Sequence, residues 1–449
     1  MSIKKIVADL FPYNRELVSA GFNEALAVLR GYMPQEAEYT EETFAPGSQV
    51  WTWRVPERFI IHEAYLETEA GQRVLDVADN RLHVFSYSLP VDQWLTWEEL
   101  EPRLYYSTTQ PDGIPWGFTP YERQWGFCLS KLQFDQLPRH ERYHAVIKVE
   151  YDSSPEAGLR VGTACLHPQG GPAHCGEILI CAHLDHPMQA NDGISGVAVG
   201  VEVIRRLAAN PLPAGSMSVR FLVCPETIGS IAYLSHHEDL IPQLNAGIFI
   251  EMAGNRNRIA LQRSFQDNHL IDRAARYVLR QRGLDYFTDG FRRIVGNDEG
   301  VMNGPGVNIP TISLSRHPFA EYHTSNDTPD RLHEDMLVEM ADIVEEIIRI
   351  YATNYVPRRR FKGPVFLSGN GLWIDWKHGR ELGVYILEDG QESPVVEVEQ
   401  IMLRMGGKHS IFDIVEELGL EYWPAWRYIN MFKDKALIDA LPIPRVELD

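Results

Sequence analysis

The sequence predicts an α/β protein: a mostly parallel mixed sheet flanked by helices, with an inserted small β domain and a C-terminal winged-helix domain. Three observations carry this. Between residues 144 and 356, apolar runs of strand length alternate with helical patterns, as they do where helices cover both faces of a sheet. From 45 to 143 the texture is instead short period-two runs, rich in aromatic residues and broken by turn residues. After Pro357-Arg358-Arg359-Arg360, which reads as a linker, three short helical patterns precede a strand-like run over 363–449, the spacing of a winged helix.

The elements follow in chain order. The first 32 residues read as one or two helices, with Leu17, Phe22, Leu26 and Leu29 near helical spacing before Gly31 and Pro34. Residues 1–44 are assigned, with 144–356, to one catalytic domain. Within 45–143 the strand candidates are 50–55, 59–61 and 81–85. The tryptophans there (Trp51, Trp53, Trp94, Trp97, Trp116 and Trp125) are expected in the module's core and against the larger domain. In the core, 177–182, 219–224, 246–250 and 310–314 read as strands, and 194–209 and 230–236 as helices. A last helix places Met340, Ile343, Val344, Ile347 and Tyr351 on one face. The C-terminal helices are expected at 398–405, 410–418 and 421–433, before a strand near 436–438.

Composition excludes several classes of function. The chain has 449 residues with Lys+Arg 42 against Asp+Glu 62, a formal net charge of −20. That balance disfavours nucleic acid and anionic membranes as partners. From Gly363 onward the balance is eight Lys or Arg against fifteen Asp or Glu, so the winged helix lacks the basic face that counterion release requires. It is expected to serve protein association, with a homo-oligomer as one outcome. No apolar run reaches the roughly 18–20 residues that cross a bilayer, and the N-terminus has no signal-like apolar stretch. Five cysteines without a C-x-x-C pair indicate neither a disulfide framework nor a thiolate zinc site, and Cys181 and Cys224 read as small core residues. A cytoplasmic location is the expectation.

Chemistry is concentrated in five stretches: His183-Leu184-Asp185, Asn191-Asp192-Gly193, Pro225-Glu226-Thr227, Glu251-Met252, and Glu321-Tyr322-His323-Thr324-Ser325-Asn326-Asp327. Each follows a predicted strand or opens a helix, where open α/β sheets place their sites. Two histidines and several carboxylates at one sheet edge supply what zinc needs, imidazole nitrogens and carboxylate oxygens. A bridging carboxylate, here Asp192, would hold two metals if both are present. Asp185 is placed to accept the free ring N–H of His183 and fix its tautomer.

These motifs resemble the co-catalytic zinc aminopeptidase superfamily, which also includes glutamate carboxypeptidases and glutaminyl cyclases. The resemblance covers about 144–355 and is carried by His183-x-Asp185, the later Asn-Asp-Gly, and the stretch from His323 to Asp330. It implies one metal bound by His183, Asp192 and Glu251, and a second by Asp192, His323 and a carboxylate after the second core strand. In the family that segment holds adjacent glutamates, a general base and then a ligand; here it reads Glu226-Thr227. Glu226 matches the base. Thr227 leaves three outcomes open: a single metal, Glu226 as ligand, or a substitute ligand such as Glu299 or His186. Asp298 and Glu299 stand where the family lines its pocket with an Asp-His pair, and with His186 and Tyr322 they complete the candidate substrate-binding residues. The whole-chain layout further resembles an uncharacterised bacterial family, through Gly113-Ile114-Pro115, Trp125-Gly126-Phe127-Cys128 and His186-Pro187.

The implied activity is zinc-dependent hydrolysis of peptide or small amide bonds, as an aminopeptidase with one or two zinc ions. Glu226 would act as base, and Glu251 and Glu299 would be available to a free α-amino group. Alternatives are a mono-zinc acyl-transfer or cyclising enzyme on the same scaffold, or a binding scaffold that uses the β and winged-helix domains.

Overall fold

The computed structural model describes residues 2–171, 175–373 and 395–444. These divide into two compact units, one of Met1–His167, Gly176–Pro211 and Ser218–Glu346, the other of Pro168–Cys175, Leu212–Met217 and Ile347–Asp449.

In the first unit, apolar strands assemble an eight-stranded mixed sheet. Across it the order is Glu38–Phe44, Leu159–Leu166, Ser218–Cys224, Glu177–His183, Leu244–Ile250, Thr311–Arg316, Ile259–Gln262 and Tyr286–Asp289. The four strands that the alternating pattern predicts form its parallel centre, and the antiparallel pairings lie outside them. Strand Glu177–His183 is buried along nearly its whole length, as a central strand covered on both faces must be. Helix Ala20–Arg30 is capped by Ser19, whose hydroxyl accepts the Phe22 N–H. It buries Phe22, Leu26 and Leu29, each worth about 1.5–3 kcal/mol of apolar transfer. Leu17 is buried but precedes the helix. Helix Ile194–Ala209 has the bounds its pattern predicts, and Met340, Ile343, Val344, Ile347 and Tyr351 of helix Glu334–Thr353 are all buried.

Between the first two strands of the large sheet, the chain builds a four-stranded antiparallel sheet ordered Arg73–Asp76, Arg58–Thr68, Tyr143–Asp152, Val91–Leu95. Its apolar side carries Leu66, Leu75, Trp97, Phe127, Phe134 and Tyr143. The expected start of the core at residue 144 falls inside strand Tyr143–Asp152, so the chain rejoins the large sheet only at Leu159. The expected strand at 81–85 is instead a 3-10 turn, Arg81–His83, with Val84 bridging Phe127. The Asn80 side chain accepts the Leu82 N–H and starts that turn, a local bond that outcompetes the period-two pattern.

In the second unit, helices Val395–Arg404, Ile411–Leu418 and Tyr422–Asp434 accompany a two-stranded antiparallel sheet of Val356–Arg359 and Ile438–Leu441. Ser410 and Asp413 form a capping box on the middle helix, and Gly419 closes it in a left-handed conformation. The last helix turns Tyr422, Tyr428, Ile429 and Phe432 inward.

Candidate metal centre

Strands 218–224, 177–183 and 244–250 run parallel and adjacent, so their carboxyl ends share one sheet edge. That places His183, the Pro225-Glu226 turn and Glu251 side by side. Asp192 arrives from the opening of helix Ile194–Ala209, and two glycines permit the approach. Gly193 has φ 93° and a Cβ there would meet the His183 ring at 2.9 Å. A Cβ on Gly196 would stand 2.0 Å from the Ile250 carbonyl oxygen.

Two clusters share Asp192, each with its candidate ligand atoms within 4.8 Å of one another: His183, Asp192 and Glu251, and His186, Asp192 and His323. Nε2 of His183 is 3.4 Å from Oδ1 of Asp192 and 3.7 Å from Oε2 of Glu251. Oδ2 of Asp192 faces the other pair, 3.4 Å from His186 Nδ1 and 2.9 Å from His323 Nε2. One carboxylate is thus common to both clusters, one oxygen for each. Asp185 stands behind His183, with Oδ1 3.3 Å from Nδ1, and the same oxygen accepts the Glu226 N–H at 2.8 Å. Glu226 Oε2 lies 3.0 Å from Nε2 of His186.

Burial alone would lower the pKa of His183, but Asp185, Asp192 and Glu251 outweigh it and hold the group well above its ordinary value. His186, buried against Asp185 and Asp192, is likewise pushed up to about 10. Asp192 is held well below the usual carboxylate range despite its burial, by His186, His183 and His323, while burial raises Glu251 to about 7. A cation binding here would displace protons that these groups otherwise share. The fit is visible in unsatisfied atoms. Nε2 of His183, Nδ1 of His186, Oδ2 of Asp192, Oε1 of Glu251 and Nε2 of His323 are buried without a hydrogen-bond partner among the described residues. Buried polar atoms are normally paired, and nitrogen and oxygen donors converging without partners suit zinc.

Of the two substitutes left open by Thr227, the structure brings His186 into a cluster and not Glu299. Glu299 is fully buried, accepting from Gln262 Nε2 at 3.0 Å and from the Asn297 N–H. Asp298 is also fully buried and accepts from the Thr227 N–H at 3.0 Å and Ser230 Oγ at 2.5 Å; burial pushes it up to about 7. Both acids brace the site from behind rather than face a substrate. Tyr322 is 46% exposed and stacks on His323 with ring centroids 3.7 Å apart.

Several supports reach the site across long sequence separations. Arg15, fully buried, donates to the carbonyls of Leu184, His186 and Gln189, each at 2.8 Å, and so shapes the loop that carries His186. Burial pushes its pKa down to about 10. Asp327 accepts the N–H groups of Asn191 and Asp192 at 2.8 and 3.0 Å, tying the loop that carries Asp192 to the one that carries His323. Trp116, from the small β module, packs on both loop imidazoles, 4.3 Å from His186 and 5.0 Å from His323. Its backbone N–H donates to the His323 carbonyl at 2.8 Å, its indole N–H donates to Ser86 Oγ at 2.7 Å, and Pro115 bridges Thr324. Asn297 donates through Nδ2 to Glu251. His186, Thr227 and His323 all have positive φ, at 77°, 62° and 53°, a strain that clusters at functional sites.

Comparison with known proteins agrees with this architecture. The family described as "Domain of unknown function (DUF4910)" matches residues 4–354. A Clostridium acetobutylicum protein, provisionally named as a polysaccharide biosynthesis protein with an aminopeptidase-like domain, is 30% identical over 94% of this chain and 92% of its own. A crystal structure from the same organism, provisionally named a peptidase, superposes with a TM-score of 0.81 at 27% identity, covering 98% of this chain and 96% of that one. A zinc aminopeptidase from Bacillus subtilis shares the fold at a TM-score of 0.59 and 14% identity, over 77% and 94% of the two chains.

Proposed function

The chain belongs to the family described as a domain of unknown function (DUF4910), and on that premise we propose that it is a zinc-dependent hydrolase of peptide or small amide bonds, acting as an aminopeptidase. The observation that carries the reading is Asp192, whose two oxygens serve separate clusters of unsatisfied imidazole and carboxylate atoms at the edge of a zinc-aminopeptidase-type sheet. His183, Asp192 and Glu251 would hold one zinc ion; His186, Asp192 and His323 would hold a second, the imidazole of His186 taking the place of the missing carboxylate. Zinc in such a site supplies Lewis acidity that polarises a carbonyl and acidifies water.

The chain's own groups do the rest. Asp185 orients His183 through Nδ1 and, through the Glu226 N–H, sets the turn that presents Glu226. With Nε2 of His186 beside one oxygen of Glu226, the other is available to take a proton from the attacking water and return it to the leaving amine. Trp116 and Tyr322 flank the loop imidazoles and narrow the access of bulk water. Glu226→Gln should retain zinc while kcat for an aminoacyl amide falls about 10²–10⁴-fold, read by metal analysis and steady-state rates on the same sample. Unchanged turnover in that variant would remove Glu226 from the reaction.

A further inference from the structure

A cavity of about 450 Å³ opens beside the first cluster, with Glu251, Arg292, Arg293, Asn297, His317 and Tyr322 among its lining. Glu251 belongs to the metal cluster, Asn297 donates to Glu251, and Tyr322 stacks on His323. This space is therefore open to a substrate whose scissile carbonyl reaches the proposed metal ligands.

The charge of its wall runs against that of the chain, which carries −20 overall. Arg292 lies with Nη1 3.7 Å from buried Glu299 and its guanidinium against Gly296, where a Cβ would meet Cζ at 2.9 Å. It is held in place and partly neutralised. Arg293 is exposed and has no ion-pair partner among the described residues. His317 adds a buried Nδ1 without a hydrogen-bond partner among the described residues. A negative charge on the substrate would pair with this wall.

We propose that this cavity is a subsite for an oxyanion group of the substrate, a carboxylate or phosphate ester close to the scissile amide, with Arg293 as its charged contact and His317 as a second donor. This rests on the hydrolase reading given above and adds the substrate class. Arginine suits the task because its planar fork meets oxyanions with paired hydrogen bonds.

The test uses the full-length, zinc-loaded protein with matched pairs of amides: glutamyl against glutaminyl, and phosphoseryl against seryl. The expected result is at least about a tenfold higher kcat/KM for the anionic member of one pair, residing in KM and shrinking as salt is raised. Which pair responds identifies the oxyanion. Arg293→Ala should collapse that ratio towards one, and Arg293→Lys should keep part of it. Wild-type indifference to charge, or an undiminished ratio in Arg293→Ala, overturns the proposal. Calorimetry with glutarate, and separately with inorganic phosphate, gives a readout that needs no turnover, with wild type and Arg293→Ala compared at equal zinc content and again metal-free. Weaker binding of either anion by the variant supports the subsite even if no amide is cut, an outcome that would sink only the hydrolase reading. Equal binding of both anions by the two proteins rejects the subsite.

Discussion

His183 and His323 both turn Nε2 towards Asp192, yet they are built in opposite ways. His183 ends a central strand, is fully buried, lies parallel to the Phe249 ring at 6.1 Å, and is fixed by neighbours in strand register. His323 sits in a loop at φ 53°, its side chain 32% exposed, its carbonyl held by Trp116 of a module more than two hundred residues earlier in the chain. His186 shares that second character, with φ 77° and a loop tethered by Arg15. The difference teaches that one half of the site is inherited from the sheet, whereas the other is assembled by long-range contacts, and the halves should fail separately.

The largest effect is expected where they meet. Asp192→Asn removes the shared charge and should empty both clusters, lowering bound zinc to near zero and activity by more than about 10³-fold, since the ligand charge and the catalytic field vanish together. Retention of two zinc ions by that variant would separate the halves altogether. Next, His186→Ala should reduce the zinc content from two ions to one, with His183, Asp192 and Glu251 keeping theirs; metal analysis after dialysis decides it, and an unchanged stoichiometry would show that His186 is not a ligand. The smallest effect is expected from Trp116→Ala. It touches only the loop half, so affinity for the second, more weakly held ion should fall about 10–100-fold, as for other groups that orient ligands, while the first ion is unaffected. Chelator competition followed ion by ion measures both, and equal weakening of the two would erase the contrast.

How far the site was legible follows the same division. His183, Asp185, Asp192, Glu226 and Glu251 all stand within a few residues of an apolar strand or a helix start, so period and strand length brought them to one sheet edge before any coordinates. His323 stands in no such pattern and is marked by its polar stretch and the family resemblance that stretch carries. Asp298 and Glu299 carried the right chemistry at a plausible place, but burial turned them into braces for Thr227, Ser230 and Asn297. Arg15 gave no signal, because a lone arginine near the N-terminus reads as solvated, and only the fold encloses it among carbonyls. The 3-10 turn at Arg81–His83, where alternation predicts a strand, has the same cause on a smaller scale: a side-chain bond to Asn80 decides what alternation cannot.

The sequence by itself determined the α/β class, the parallel centre of the large sheet and the identity of the acidic and imidazole groups at its edge, because hydrophobic periodicity is a local property that burial must obey. Tertiary structure alone decided that His186 rather than Glu299 joins Asp192 and His323, that Trp116 of the small β module reaches the loop half, and that Arg15 holds that loop. Those outcomes depend on side chains meeting across large separations along the chain, where no period links the partners and only the packed geometry sets the distance.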